Sequence, residues 1–441
     1  MAIVGQILFA LVAIAAIGFF AWKVGRIRSN ILLGKDVEIN DRKAERWKKM
    51  ALVAMGQKKM FKRPIPALLH LAVYLGFIII NIEILEIILD GLLGSHRLLF
   101  PLLGGIYPVF ISFLEFLALG VLVSCIIFLI RRYGLAIKRF HAREMTAWPR
   151  LDATIILISE ILLMVFFLTM NGADLTLQRH GVTGYTQTGL FFFSQALMPL
   201  LDGLPTGQLI FLERFCWWAH IIGIFAFLCY VPFSKHFHIF ISFPNTYYSR
   251  LEPQGKMKNM PEIAKEVQLM MNPEAGADAP APDDHPAFGA KDISQLNWKH
   301  LMDAYSCTEC GRCTDVCPAN ITGKKLSPRK IMMDTRDRTE EVGIARNKGI
   351  KPGEDGKTLL HDYITQEELL ACTNCQACVE ACPVSIDPLS IITELRRSLI
   401  MEEAKSPNEW NIMFGNIENN GAPWAFPQSD RLKWSEGVMK E

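Results

Sequence analysis

The sequence predicts an all-α fold class: a five-helix transmembrane bundle, N-terminus outside, followed by a smaller helical domain built around cysteines. Three observations predict it. Of the 441 residues, 51% are hydrophobic and only 20% charged, with a mean hydropathy of +0.22. That is too apolar for an ordinary soluble enzyme and excludes a disordered chain. Five apolar stretches each reach the roughly 20 residues that a membrane-spanning helix needs. Eight of the eleven cysteines fall in two short runs in the last third, and the other three lie in apolar stretches. A disulfide scaffold would spread them, so metal binding in a reducing compartment is favoured. With 46 basic and 44 acidic residues, a net charge of +2 argues against a nucleic-acid binder.

The spans fall near residues 2–24, 65–89, 106–130, 151–170 and 208–233. A sixth stretch, 190–201, is too short and reads as surface-lying or re-entrant. The first span does not have a signal peptide's layout, because Lys23, Arg26 and Arg28 follow it and no positive charge precedes it. Orientation follows from the loops. Residues 26–63 carry twelve Lys/Arg and 131–150 carry six, while Arg97 and Arg179 are the only ones in the two opposite loops. The positive-inside rule then puts the N-terminus outside and everything after Phe233 in the cytoplasm; a prokaryotic inner membrane is the expected setting.

Ionisable groups inside such a bundle are costly and usually functional. His70 lies near the cytoplasmic end of the second span, His220 midway along the fifth, and His236 and His238 just beyond it. His220 and His238 are 18 residues apart, five turns at 3.6 residues each. If the helix runs on past Pro232 they share a face, His236 falls nearly opposite, and His238 meets His70 at one depth. A single histidine there would read as an interfacial side chain. An opposed pair reads as a bis-histidine site for haem b. Glu83, Glu86, Glu115 and Glu160 are weaker signals for proton or quinone work, and Glu83 and Glu86 lie near enough to a helix end to reach water. Cys125, Cys216 and Cys229 read as small apolar residues, and Trp217 and Trp218 as packing.

The run from His220-Ile-Ile-Gly223 through Pro232-Phe-Ser-Lys-His-Phe-His238-Ile-Phe240 resembles the last helix of the respiratory nitrate reductase gamma subunit family. The resemblance covers about 250 residues and implies a five-helix cytochrome b that ligates two haems between its second and fifth helices. By that likeness His220 and His238 match the fifth-helix ligands, and His70, in Leu69-His-Leu-Ala, matches the cytoplasmic-side ligand. The pattern departs at the other second-helix position, where Ile80 and Asn81 stand. One haem, on His70 and His238, is therefore expected. A second, on His220, needs a partner such as His180, or else His220 belongs to a quinone pocket.

Between 252 and 290 the composition shifts to Pro, Ala, Gly and Asp, which cannot bury a core and reads as a flexible linker. The expected division is 1–250 transmembrane, 251–291 linker, 292–402 cysteine-rich domain and 403–441 partner-docking tail. Cys307-Thr-Glu-Cys310-Gly-Arg-Cys313-Thr-Asp-Val-Cys317-Pro318 repeats as Cys372-Thr-Asn-Cys375-Gln-Ala-Cys378-Val-Glu-Ala-Cys382-Pro383. This C-x2-C-x2-C-x3-C-P run is that of two-cluster ferredoxins, whose fourth cysteine ligates the other run's cluster. One [4Fe–4S] cluster is thus expected on Cys307, Cys310, Cys313 and Cys382, the other on Cys372, Cys375, Cys378 and Cys317. Zinc would want two Cys-x2-Cys knuckles instead. The 54-residue spacer, with helix starts at Ser327-Pro328 and Thr365, makes this an α-helical ferredoxin domain in the cytoplasm. Its Gly/Lys loop at 348–357 lacks phosphate-loop order and reads as a solvated turn.

With this spacing and Asn419-Asn-Gly-Ala-Pro-Trp424 in the tail, residues 292–434 resemble heterodisulfide reductase C-type subunits and the matching half of D-type subunits. That likeness implies a partner carrying Cys-Cys-Gly modules, which this chain lacks. The expectation is an electron-transfer subunit between membrane quinone, haem b, two clusters and a cytoplasmic catalytic partner, with the final substrate site on that partner. The alternatives are a haem-free membrane anchor presenting a ferredoxin domain, and a redox sensor, for which no signalling domain is visible.

Overall fold

The computed structural model describes residues 3–135, 137–257, 259–272 and 287–438. Of the expected linker, residues 258 and 273–286 lie outside the described residues. Five long helices form where the apolar runs require: α1 (Ile3–Ile31), then after the short α2 (Lys43–Met50), α3 (Pro64–Leu93), α4 (Tyr107–Tyr133), α5 (Trp148–Arg179) and α6 (Thr206–Tyr230). With the turns that extend α4 and α6 they are 28 to 34 residues long. At 1.5 Å per residue that exceeds the ~30 Å hydrocarbon core, so their ends project beyond it. No strand occurs among the described residues.

Helices without a hydrophobic drive between them pack through small residues. A Cβ on Gly91 of α3 would stand 2.7 Å from the Phe9 ring of α1, and one on Gly223 of α6 would stand 2.8 Å from Leu163 of α5. Around these contacts Phe9, Ile80, Phe167, Trp217, Ile221 and Phe225 form the bundle core. Trp217 therefore packs as expected. α3 ends where Gly94 takes a left-handed φ of 73° and its N–H closes onto Asp90. The 190–201 stretch turns inward: Phe193 and Ser194 N–H donate to Glu115 at 3.0 and 3.1 Å.

The expectation of one continuous helix joining His220 to His238 is corrected. α6 stops at Tyr230, and two 3-10 turns, Val231–Phe233 and Lys235–Phe237, precede a new helix α7 (His238–Tyr247). Pro232 supplies no N–H donor, and extended Ser234 (φ −114°, ψ 155°) caps the His236 N–H with its hydroxyl. The segment expected as linker also contains a helix, α8 (Pro261–Met271), with Pro261 in its first turn and good helix formers after it.

The remaining domain comprises α9 (Trp298–Tyr305), α10 (Pro328–Asn347), α11 (Gln366–Leu370) and α12 (Pro388–Arg397), and the tail carries α13 (Asn408–Asn420). Its core includes Leu301, Ile331, Ile392, Leu395 and Leu399 with Cys307, Cys317 and Cys382. It sits on the bundle end where the Lys/Arg-rich loops gather. Ile27, Val231, Phe237, Ile241, Met302 and Tyr305 form one apolar junction between the two parts. Polar contacts frame it: Asn30 Nδ2 donates to the Tyr305 hydroxyl, and fully buried Arg329 reaches Glu144 at 2.7 Å.

Candidate cofactor sites

The two cysteine runs fold alike. Glu309 and Gly311 flank Cys310 with φ of 52° and 72°, and Asn374 and Gln376 flank Cys375 with φ of 56° and 62°. Left-handed backbone on both sides of the middle cysteine curls each run, so that its first three thiols converge. Three of these four residues are not glycine, and they hold that conformation against its steric cost. A short helix follows each curl, Arg312–Asp315 and Ala377–Ala381, and carries the chain to the Cys-Pro pair.

That last cysteine crosses over. Cys317 lines one cavity with Cys372, Cys375 and Cys378. The thiols of Cys307, Cys310 and Cys382 lie near enough to Cys313 for their charges to oppose its ionisation, and Cys378 of the other set also reaches it. Burial, then neighbouring charge, pushes Cys307 up to about 12 and Cys382 up to about 11. Thiolates in such surroundings need cationic iron. Among the described residues no three His, Cys, Asp or Glu converge on a single metal ion. A cubane takes each thiolate on a separate iron, so its ligands stand wider apart than those of one ion. The exposed member is Cys375; the others are buried or half-buried.

His70 and His238 face each other across α3 and the start of α7, with ring centres 6.3 Å apart. Two metal–nitrogen bonds of about 2 Å plus the half-rings need roughly that span. His238 Nδ1 donates to the Lys235 carbonyl at 2.9 Å, and His70 Nδ1 lies 3.1 Å from Gln57 Oε1. Each contact fixes the ring and leaves Nε2 free, the arrangement a metal-bound histidine adopts. The pair fits bis-histidine ligation. His236 is not on the opposite side: the kink brings its half-buried side chain to a ring-centre distance of 5.6 Å from His238, with burial first and His238 next lowering its pKa to about 3.

Among the described residues, His220 is not brought to any histidine. Its Nδ1 lies 2.9 Å from the Leu163 carbonyl and its ring 5.9 Å from Phe167, so it faces α5. His180 sits on Asp202 at 2.8 Å near the far end of α5 and does not fold in. Asn81, in place of a second α3 histidine, bonds back to the Phe77 carbonyl.

The first cysteine run docks directly beside the His70–His238 pair. Lys235, whose carbonyl orients His238, carries its ammonium to Glu309, between Cys307 and Cys310; Arg336 holds the other Glu309 oxygen at 2.8 Å. Arg312, between Cys310 and Cys313, donates to the Lys59 and Met60 carbonyls ahead of α3 and is near enough for its charge to act on His70. Neither Gln57 nor the Lys235–Glu309 bridge has a sequence signal, since both act through space.

Residues 306–386 match the 4Fe-4S dicluster domain family. The chain is 28% identical to the "Probable iron-sulfur-binding oxidoreductase FadF" of Bacillus subtilis, over 98% of this chain and 61% of the relative. It is 27% identical to the "EtfAB:quinone oxidoreductase" of Syntrophomonas wolfei, over 96% of this chain and 58% of the relative. It is 29% identical to a subunit of the dihydromethanophenazine:CoB–CoM heterodisulfide reductase of Methanosarcina mazei, over 32% of this chain and 35% of that one. The chain thus spans about three fifths of the length of the first two relatives. No solved structure matches it. The chain joins a 4Fe–4S dicluster domain to five helices long and apolar enough to cross a membrane, and it is similar to proteins named as oxidoreductases.

Proposed function

We propose that the chain is the electron-transfer subunit of a membrane-bound oxidoreductase. It moves electrons between the quinone pool, a haem b on His70 and His238, two [4Fe–4S] clusters, and a cytoplasmic partner with Cys-Cys-Gly modules. Five spans and a positive-inside orientation give it a prokaryotic inner-membrane setting. When bound, haem b and the clusters supply one-electron carriers; the protein's part is to hold and tune them.

The observation that carries this reading is the docking of the first cysteine run on the histidine pair. Lys235 joins His238 to the Glu309 turn, and Arg312 lies between Cys310, Cys313 and His70. The set Cys307, Cys310, Cys313 and Cys382 is therefore the proximal one. The set Cys372, Cys375, Cys378 and Cys317 is distal and presents exposed Cys375 outward, toward a partner. The tail starts beside it, where Gln366 Nε2 reaches the Lys405 carbonyl. Its apolar residues Ile412, Phe414, Ile417, Trp424, Phe426 and Trp434 all remain exposed, as a docking arm requires. The likeness to heterodisulfide reductase subunits and to a quinone oxidoreductase supports both ends of this path. Because no histidine among the described residues faces His220, the reading is one haem per chain.

The deciding experiment is pyridine haemochrome on purified protein with iron and sulfide measured alongside. One haem, eight non-haem iron and eight sulfide per chain are expected; absence of haem would leave a membrane-anchored ferredoxin. Failure of a quinol analogue to reduce the haem in the intact complex would sink the quinone end of the path.

A further inference from the structure

The half of the bundle remote from the cysteine domain encloses five carboxyl groups around one guanidinium. Glu83, Glu86 and Asp90 lie on α3, Glu115 on α4 and Asp174 on α5, with Arg97 in the α3–α4 loop, all at least nine-tenths buried. An ionised carboxylate here costs several kcal/mol unless donors or a counter-charge meet it. Four of the five are met. Asp90 accepts from Ser95 Oγ and from the N–H groups of Arg97 and Leu98, which shapes the loop. Glu86 accepts from the Leu99 N–H and the Tyr107 hydroxyl. Glu115 accepts from Asn171 and from the N–H groups of Phe193 and Ser194. Asp174 takes Nε and Nη2 of Arg97 on one oxygen at 3.0 and 2.8 Å; its other oxygen has no hydrogen-bond donor, although His96 Nε2 lies 3.3 Å away.

Glu83 is the exception. It is 1% exposed, its Oε1 is 3.5 Å from Arg97 Nη1, and its Oε2 has no donor at all. Arg97 is already engaged by Asp174. Further along, Tyr185, Glu213 and Arg214 bond among themselves, so no second cation is directed at Glu83 among the described residues. An acceptor oxygen in that position is satisfied most simply by carrying its own hydrogen.

We infer that Glu83 is a proton-binding site, protonated at neutral pH, that exchanges its proton with quinone chemistry in this half of the membrane. The exchange rests on the quinone reading above; the proton site does not. Two electrons and two protons convert quinone to quinol. The electrons come one at a time through the cofactors proposed above; Glu83 hands over a proton with each of the two, and after each transfer it is reset from the aqueous face. There His96, on Asp174 and about one-fifth exposed, is the group nearest water. Quinol oxidation runs the same exchange backwards.

Glu83→Gln separates these statements, because the amide is isosteric and neutral, like the protonated acid. In lipid nanodiscs at pH 7, infrared spectra of the wild type should show an additional C=O stretch of a protonated carboxyl that is lost in E83Q, with haem and iron content unchanged. A band unaffected by E83Q, no such band in the wild type, or an E83Q protein that fails to fold would each overturn the proton site. Reduction of the cofactors by a reduced naphthoquinone should slow at least tenfold in E83Q, while reduction by dithionite stays equal. Equal quinol rates would overturn the exchange role. A wild type that quinol cannot reduce would remove the quinone reading and leave the infrared result to decide the proton site.

Discussion

The bridge from Lys235 to Glu309 ties the turn that orients His238 to the loop of the proximal cysteines, so replacing it tests whether that contact sets the docking. Lys235→Met keeps the aliphatic stem and the backbone carbonyl that holds His238. The side chains are about 10% and 2% exposed, and breaking so buried a pair outright costs roughly 3–5 kcal/mol. Here the damage is shared. Glu309 keeps Arg336 at 2.8 Å, and Asp152, also near the Lys235 ammonium, keeps the Tyr230 hydroxyl and the residue-235 N–H. About 2 kcal/mol is the expected loss, roughly a thirtyfold shift toward the open junction. Hydrogen exchange at amides 307–313 reads this directly: protection should fall by about that factor, while pyridine haemochrome stays at the wild-type level. Unchanged protection in the variant would refute the bridge as the clamp. Loss of haem would refute the view that only the backbone of Lys235 serves His238.

Three other outcomes can be checked independently. His70→Ala should abolish the haemochrome spectrum and leave both cluster signals, whereas His220→Ala should leave the haem in place; full retention in the first variant would show the ligand pair is wrong. Cys317→Ala should damage the EPR signal of the cluster on Cys372, Cys375 and Cys378 and spare the other, and the reverse pattern would contradict the crossed geometry of the two runs. Asp334 is raised to about 6 by burial, with Lys330 at 2.6 Å opposing the shift. A carboxyl whose folded pKa exceeds its unfolded value favours the fold when protonated, so stability is lost as pH rises from about 4 through 6. Asp334→Asn should therefore gain about 1–2 kcal/mol over the wild type at pH 8 and little at about pH 3, below both pKa values, measured by thermal unfolding of the full chain.

What can be read from the chain and what cannot divides along one physical line. Hydrophobic runs longer than a bilayer announce helices, and eight clustered cysteines announce thiolate chemistry, because both signals are local in sequence. Depth in the membrane points to His70 and His238, yet an unbroken helix past Pro232 is not how the chain brings them together. The kink instead places His236 beside the pair. Lys235 and Glu309 are 74 positions apart and Arg97 and Asp174 are 77 apart, so no periodicity or spacing rule could join them. The glutamates of α3 are visible as polar residues in an apolar helix; that one oxygen of Glu83 is left without a donor depends on loops folding back from both neighbours. The expected linker likewise suggests a swinging domain, and the apolar junction between Ile27, Val231, Met302 and Tyr305 is not legible in the sequence.

That junction has a consequence for how the molecule could be taken apart. If side-chain packing rather than the connecting chain fixes one part on the other, covalent continuity between them is dispensable. Severed between 272 and 287, the bundle and the cysteine domain would remain a complementary pair, each offering the other a preformed greasy seat ringed by matched charges. The same architecture could then be encoded as two genes without changing a single contact across the seam.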